Sequence, residues 1–281
     1  MTANPPASRH VPFVQASLRV FDISVGQLLW SKRTAFLALC AGGPVVLALV
    51  LRILDSAGMS ALRINGARVG GPVMFGGIMW LLYLRFVVPV LGAFYGTSLV
   101  SDEVEDRTIT YLFVRPIPRG SIVIGKYLAY LVCTTLVVLP CVIAAYLLIT
   151  PIGGGSYVET IPLLLRDLGL LTLGLAAYGA VFAFVGAKVP RPLVAGLVLI
   201  FGWEQVALVV PGYLRRFTVA YYLQSLVPHA LPQDDTITAI QSLFAEPPSA
   251  GSSLLWLLAI VIGALWLAAR VMETREYVLE Q

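Results

Sequence analysis

Four of the chain's fifteen acidic residues fall within five positions: Asp102, Glu103, Glu105 and Asp106. They follow one long apolar run and shortly precede another. Asp102 with Glu105 three residues on has the form of a helix N-cap and its capping-box partner. Further carboxylates in a first turn are favoured by the helix dipole. The spacing predicts a short helix from about Glu103 to Val114, stopped by Pro116 because the residue before a proline avoids the α region. Val104, Ile109, Leu112 and Phe113 sit beside the charges. A helix with both kinds of group suits insertion into a groove of a partner protein. A capped helix that only solvates a loop is the plainer alternative.

Just after it, Gly120-Ser-Ile-Val-Ile-Gly125-Lys126-Tyr127 nearly spells a phosphate-binding loop. Such a loop follows a β-strand and ends in Ser or Thr, whose hydroxyl holds magnesium. Here Tyr127 takes that place and the chain runs into an apolar stretch, so any ATP would be bound by a separate subunit. Two ionisable residues lie inside apolar runs, Arg85 and Glu204. Such groups are costly in a bilayer and face the protein interior. At similar predicted depths, they are expected to pair across the bundle or to line one polar cavity; a structural carboxyl near the interface is the alternative for Glu204. His10 and His229 stand apart from each other and from any cysteine or carboxylate cluster, so no metal site is expected. Cys40, Cys133 and Cys141 all lie in apolar runs and read as buried thiols. No nucleophile–base–acid set is apparent.

The elements that carry these residues follow from composition. The 281 residues are 58% hydrophobic and 12% charged, with a mean hydropathy of +0.87. Soluble domains are about 45–50% apolar and about 25% charged. The chain therefore reads as an all-α integral membrane protein of one domain, with six spans at roughly 34–52, 73–100, 126–150, 166–187, 193–211 and 253–270. With both termini inside, the inner segments hold twelve Lys and Arg and the outer ones six, which predicts cytoplasmic termini in a cell membrane. The net charge of +4 reads as these flanks, not as nucleic-acid binding. The N-terminus does not read as a secretory signal.

Before the first span, over 13–33, Val14, Leu18, Phe21, Val25 and Leu28 form one helical stripe. It predicts an interfacial helix on the cytoplasmic leaflet, or else a helix packed on its own protein. Gly42-Gly43-Pro44 predicts a kink in the first span. Gly92 and Gly96 in the second span permit close helix approach, within the subunit or in a homodimer. The outer segment 212–252 is expected to fold on the outer mouth as short amphipathic helices.

The stretch from Gly96 to Leu128 resembles ABC-2 type transporter permeases. The likeness rests on Asp102, Glu103, Glu105, Asp106, Arg107 and Thr108, then Arg115-Pro116, then Gly125-Lys126-Tyr127. The six-span layout with an amphipathic helix ahead of it extends it to the whole chain. The resemblance implies that residues 102–114 form a coupling helix, docking a separate ATPase subunit through Asp102, Glu103, Glu105, Asp106, Arg107, Thr108, Leu112 and Phe113. It implies a dimer of permeases, ATP and Mg on the partner, no cofactor or enzymatic activity on this chain, and export of a substrate. Two other readings stay open. A stand-alone secondary transporter would use Arg85 and Glu204 but would gain from inverted repeats, which are not found. A membrane-embedded enzyme would need catalytic groups converging at one depth.

Overall fold

Inside a bilayer, backbone N–H and C=O groups find no water, so long apolar runs cross it as helices. A computed structural model describes residues 12–30, 32–58, 63–64, 67–105, 119–209, 213–227 and 249–274. Helices dominate these residues: α1 Phe13–Leu29, α2 Lys32–Ser56, α3 over 71–105, α4 Arg119–Ile149, α5 Tyr157–Lys188, α6 over 192–209, α7 Val219–Gln224 and α8 Ala250–Thr274. Between α2 and α3, two-residue strands Arg63–Ile64 and Ala67–Arg68 pair antiparallel.

Five helical stretches are long and apolar enough to cross a membrane: Thr34–Ser56, Gly71–Ser101, Gly120–Ile149, Tyr157–Lys188 and Ala250–Thr274. They match five of the six expected spans, with longer ends. The fourth starts at Tyr157 and not at 166, because its helix continues through Pro162 and past the exposed Arg166. The expected span over 193–211 corresponds to α6, described over 192–209, whose apolar part Pro192–Ala207 is shorter than the other five. Pro44 lies inside a continuous α2. The hydroxyl of Tyr83 on α3 donates to the carbonyl of Ala41, three residues before that proline, at 3.1 Å. The α4–α5 connection turns at Gly153 and Gly154, whose φ of 70° and 83° is a left-handed backbone that glycine adopts without penalty.

The fold is centred on α5. It packs most extensively against α3 and α8, and also against α4. Leu171, Leu175, Tyr178 and Phe182 on it are fully buried. Tyrosine hydroxyls tie neighbours together: Tyr127 and Tyr130 on α4 donate to the carbonyls of Ala176 and Leu175 at 2.9 and 3.0 Å. Each such bond satisfies a hydroxyl that hydrocarbon would leave bare, worth about 1–2 kcal/mol or less.

The first helix packs by a different face from the one its apolar stripe suggests. Ala16, Ser17 and Ser24 are buried, and α1 packs mainly on α4. The fit is close because Gly125 has no side chain: a Cβ there would stand 2.6 Å from the carbonyl oxygen of Ser17. On the stripe, Val14 and Leu18 are 66% and 54% exposed, while Phe21, Val25 and Leu28 are half-buried. Small residues thus face the protein, and part of the apolar stripe is left for the surroundings.

Candidate functional site

Arg85 and Glu204 both lie on π-helical turns. Arg85 is in the stretch Met79–Val87 of α3, and Glu204 closes Leu199–Glu204 of α6. The cause on α3 is local. Pro89 has no N–H to give to the carbonyl of Arg85, and the Val88 N–H bonds five residues back, to Tyr83. Wide turns of this kind are rare and occur often at functional sites.

Glu204 is 4% exposed. The hydroxyl of Tyr178 on α5 lies 2.8 and 2.7 Å from its two oxygens and donates to them. The carboxylate also faces the start of α7, at Val219 and Ala220. Arg85 donates through Nη2 to Oε1 of Gln205, the residue after Glu204. Its guanidinium lies 5.5 Å from the ring centre of Trp80. The structure therefore brings Arg85 and Glu204 into one polar cluster, within electrostatic reach of each other. Each takes its hydrogen bonds from other groups, so the cluster is a four-residue arrangement with Tyr178 and Gln205 between them.

The short helix α7 holds this cluster from one side. Thr218 caps it, its Oγ1 accepting from the Tyr221 N–H at 3.3 Å. Leu223 packs where Gly174 of α5 lacks a side chain, 3.4 Å from the position of a Cβ. Tyr222 stacks on Trp256 with centroids 6.2 Å apart, and Ser225 hydrogen-bonds Ser253 of α8 at 2.6 Å. The expected outer segment begins as a 3₁₀ turn, Tyr213–Phe217, followed by α7 packed on α5 and the first turns of α8. Residues 228–248 lie outside the described residues.

Gly92 and Gly96 face α5 of the same chain. A Cβ at Gly92 would be 2.6 Å from Cβ of Tyr178, and one at Gly96 2.8 Å from Cβ of Phe182. Gly186 answers from the other side, 2.4 Å from the Thr97 carbonyl oxygen. The glycine face is filled within the subunit.

The acidic cluster begins differently from its expectation. The helix of the second span runs on without a break through Asp102 and Glu103 to Glu105, so Asp102 is inside a helix and does not cap a new one. Helical geometry continues there because the preceding span already supplies the carbonyls that those N–H groups need. Asp106, Arg107, Thr108, Leu112 and Phe113 lie outside the described residues, as does the rest of the expected coupling helix to 114.

Sequence reading missed three members of the buried polar set. Tyr178 and Gln205 had no signal beyond position, although Gln205 adjoins Glu204. Asp167, fully buried on α5, was legible as a carboxylate within an apolar run but was placed at a span boundary. Among the described residues no group of three or more His, Cys, Asp or Glu could hold a metal ion.

No curated protein sequence matches the chain. Residues 13–277 match the model of the ABC-2 family transporter protein family. That match covers α1 to α8 and all five spanning helices, and the chain belongs to the ABC-2 transporter family, as a multi-pass membrane permease of an ABC-type transporter.

Proposed function

We propose that this permease forms the transmembrane pathway of an exporter and is driven by a separate ATPase that docks on the acidic end of α3. Two copies of the chain pair around the pathway, with ATP and Mg bound by the ATPase pair. Both termini and the acidic cluster face the cytoplasm, in line with the Lys and Arg bias of the loops. The observation that carries the reading is the continuity of α3. One helix joins the carboxylates at 102–105 to Arg85, some five turns away, and its glycine face is locked to α5 in between. A push at the acidic end is thereby delivered to the polar cluster and not dissipated at a joint.

The test is co-purification. Reversing charge at Glu103 and Glu105 together is expected to release the ATPase subunit from the tagged permease while leaving the permease in the membrane fraction. An undiminished ATPase yield would sink the docking claim.

A further inference from the structure

At the end of the bundle away from the acidic cluster, three spanning stretches come together: α3 starts at Gly71, α4 ends at Ile149 and α5 starts at Tyr157. Backbone makes the fit. A Cβ at Gly71 or at Gly155 would collide with the carbonyl oxygen of Thr150, the residue after α4. Side chains add a small hydrogen-bond network. The Tyr146 hydroxyl lies 3.0 Å from the Tyr157 carbonyl and 2.7 Å from Thr160 Oγ1. Thr160 in turn donates to the Ser156 carbonyl at 2.9 Å.

One polar atom is left over. Thr150 is fully buried, and its Oγ1 has no hydrogen-bond partner among the described residues. Beside it is a small cavity, whose lining includes Pro72 and Phe75 of α3, Tyr146 of α4, and Thr160 and Leu164 of α5. Its volume is about 10 Å³. A single water needs about 10–15 Å³ and two to four polar partners. The cavity is therefore of a size for one water and nothing larger, and three hydroxyls border it. Their protons fit such a guest. A hydroxyl has one proton to give and two lone pairs to offer. With Thr160 donating to Ser156 and Tyr146 to Tyr157, lone pairs stay open on both oxygens, and Thr150 has its proton to give.

We infer that this cavity binds one structural water, which accepts from Thr150 and donates to Tyr146 and Thr160. It fastens the start of α5 to the end of α4 beside the start of α3. Thr150 lies just past the spanning stretch of α4, so the site is at helix ends and not at mid-membrane. The end of α3 opposite the acidic cluster is thereby seated on a fixed corner. The site belongs to this chain alone and does not depend on the ATPase reading.

The test is thermal unfolding of the purified full-length protein in detergent. Thr150→Val keeps nearly the same shape and removes the hydroxyl. If that hydroxyl is buried without a partner, valine is neutral or stabilising; if it holds water, valine is destabilising. The expected result is a fall in melting temperature of about 2–4 °C, the scale of one hydrogen bond in a chain of about this size. Thr160→Val and Tyr146→Phe each remove a further partner of the water. Either one combined with Thr150→Val should lose less than the sum of the two shifts, because both changes break the same bridge. A melting temperature that Thr150→Val leaves unchanged or raises would overturn the site. So would a loss at Thr150 that adds fully to those of both Thr160→Val and Tyr146→Phe, the sign of a hydroxyl turned onto a carbonyl of its own helix.

Discussion

Glu204 is bound by a hydroxyl of α5 and faces the start of α7 at Val219 and Ala220. A buried carboxylate so placed ties three segments at one point. Tyr178→Phe removes the hydroxyl and leaves the ring. It is expected to lower stability in detergent by about 1.5–3 kcal/mol, the scale of a hydrogen bond to a charged group. Glu204→Gln should cost a similar amount. In the double variant the two losses should overlap by about 1 kcal/mol, because they remove one interaction. The Arg85–Glu204 cycle should show weaker coupling, since the guanidinium bonds Gln205. Additive losses for Tyr178 and Glu204, read from thermal unfolding, would contradict this arrangement. The two charged residues themselves were legible, because a charge in an oily run stands out. Their partners were not, because a tyrosine or glutamine in such a run carries no mark of what it will meet across the bundle.

Among the elements, the seam between α3 and α5 is the tightest joint. Gly92, Gly96 and Gly186 each sit against backbone or a Cβ that cannot swing away. Alanine at any of them is expected to cost about 1–3 kcal/mol by overpacking. Gly77 and Gly263 have nothing within 4 Å of an added Cβ. Alanine there should be neutral or stabilising, by up to about 1 kcal/mol, through helix propensity alone. Melting temperatures of the five single variants in detergent separate the two groups; a seam variant that melts with the wild type would disprove the close fit. The Gly92–Gly96 spacing was visible in the sequence, but spacing alone does not say which helix fills it. The same holds for α1. Its apolar stripe was plain, yet its packing face is the small, partly polar one at Ala16, Ser17 and Ser24, chosen by the bare backbone of Gly125. Helix positions were readable because hydrophobic runs are long here. Helix ends were not, because Pro162 and Arg166 look like a boundary and α5 passes through both.

For the whole molecule, the membrane topology turns on α6. Five helices are long enough to cross alone, and α6, described over 192–209, is close to the about 20 residues a crossing needs. If α6 and the turn after it complete a sixth crossing, both termini lie on the same side. Fusion reporters at the two ends should then both report the cytoplasm. A cysteine placed at Gly58 or Ser249, in a background lacking Cys40, Cys133 and Cys141, should react with an impermeant maleimide added outside, and one at Val189 should not. Termini on opposite sides would leave five crossings. The contact between α1 and α4 also bears on how the chain is made. Ser17 leaves the ribosome about a hundred residues before Gly125, the glycine it packs against. At about 5–20 residues per second, that is an interval of roughly 5–20 s. Through this interval the first helix to be synthesised has no docking surface, and its exposed Val14 and Leu18 give it a place to wait at the lipid headgroups. The earliest helix is thus among the late ones to assemble, and a delay in inserting α4 would leave it stranded on the membrane as a target for quality-control proteases.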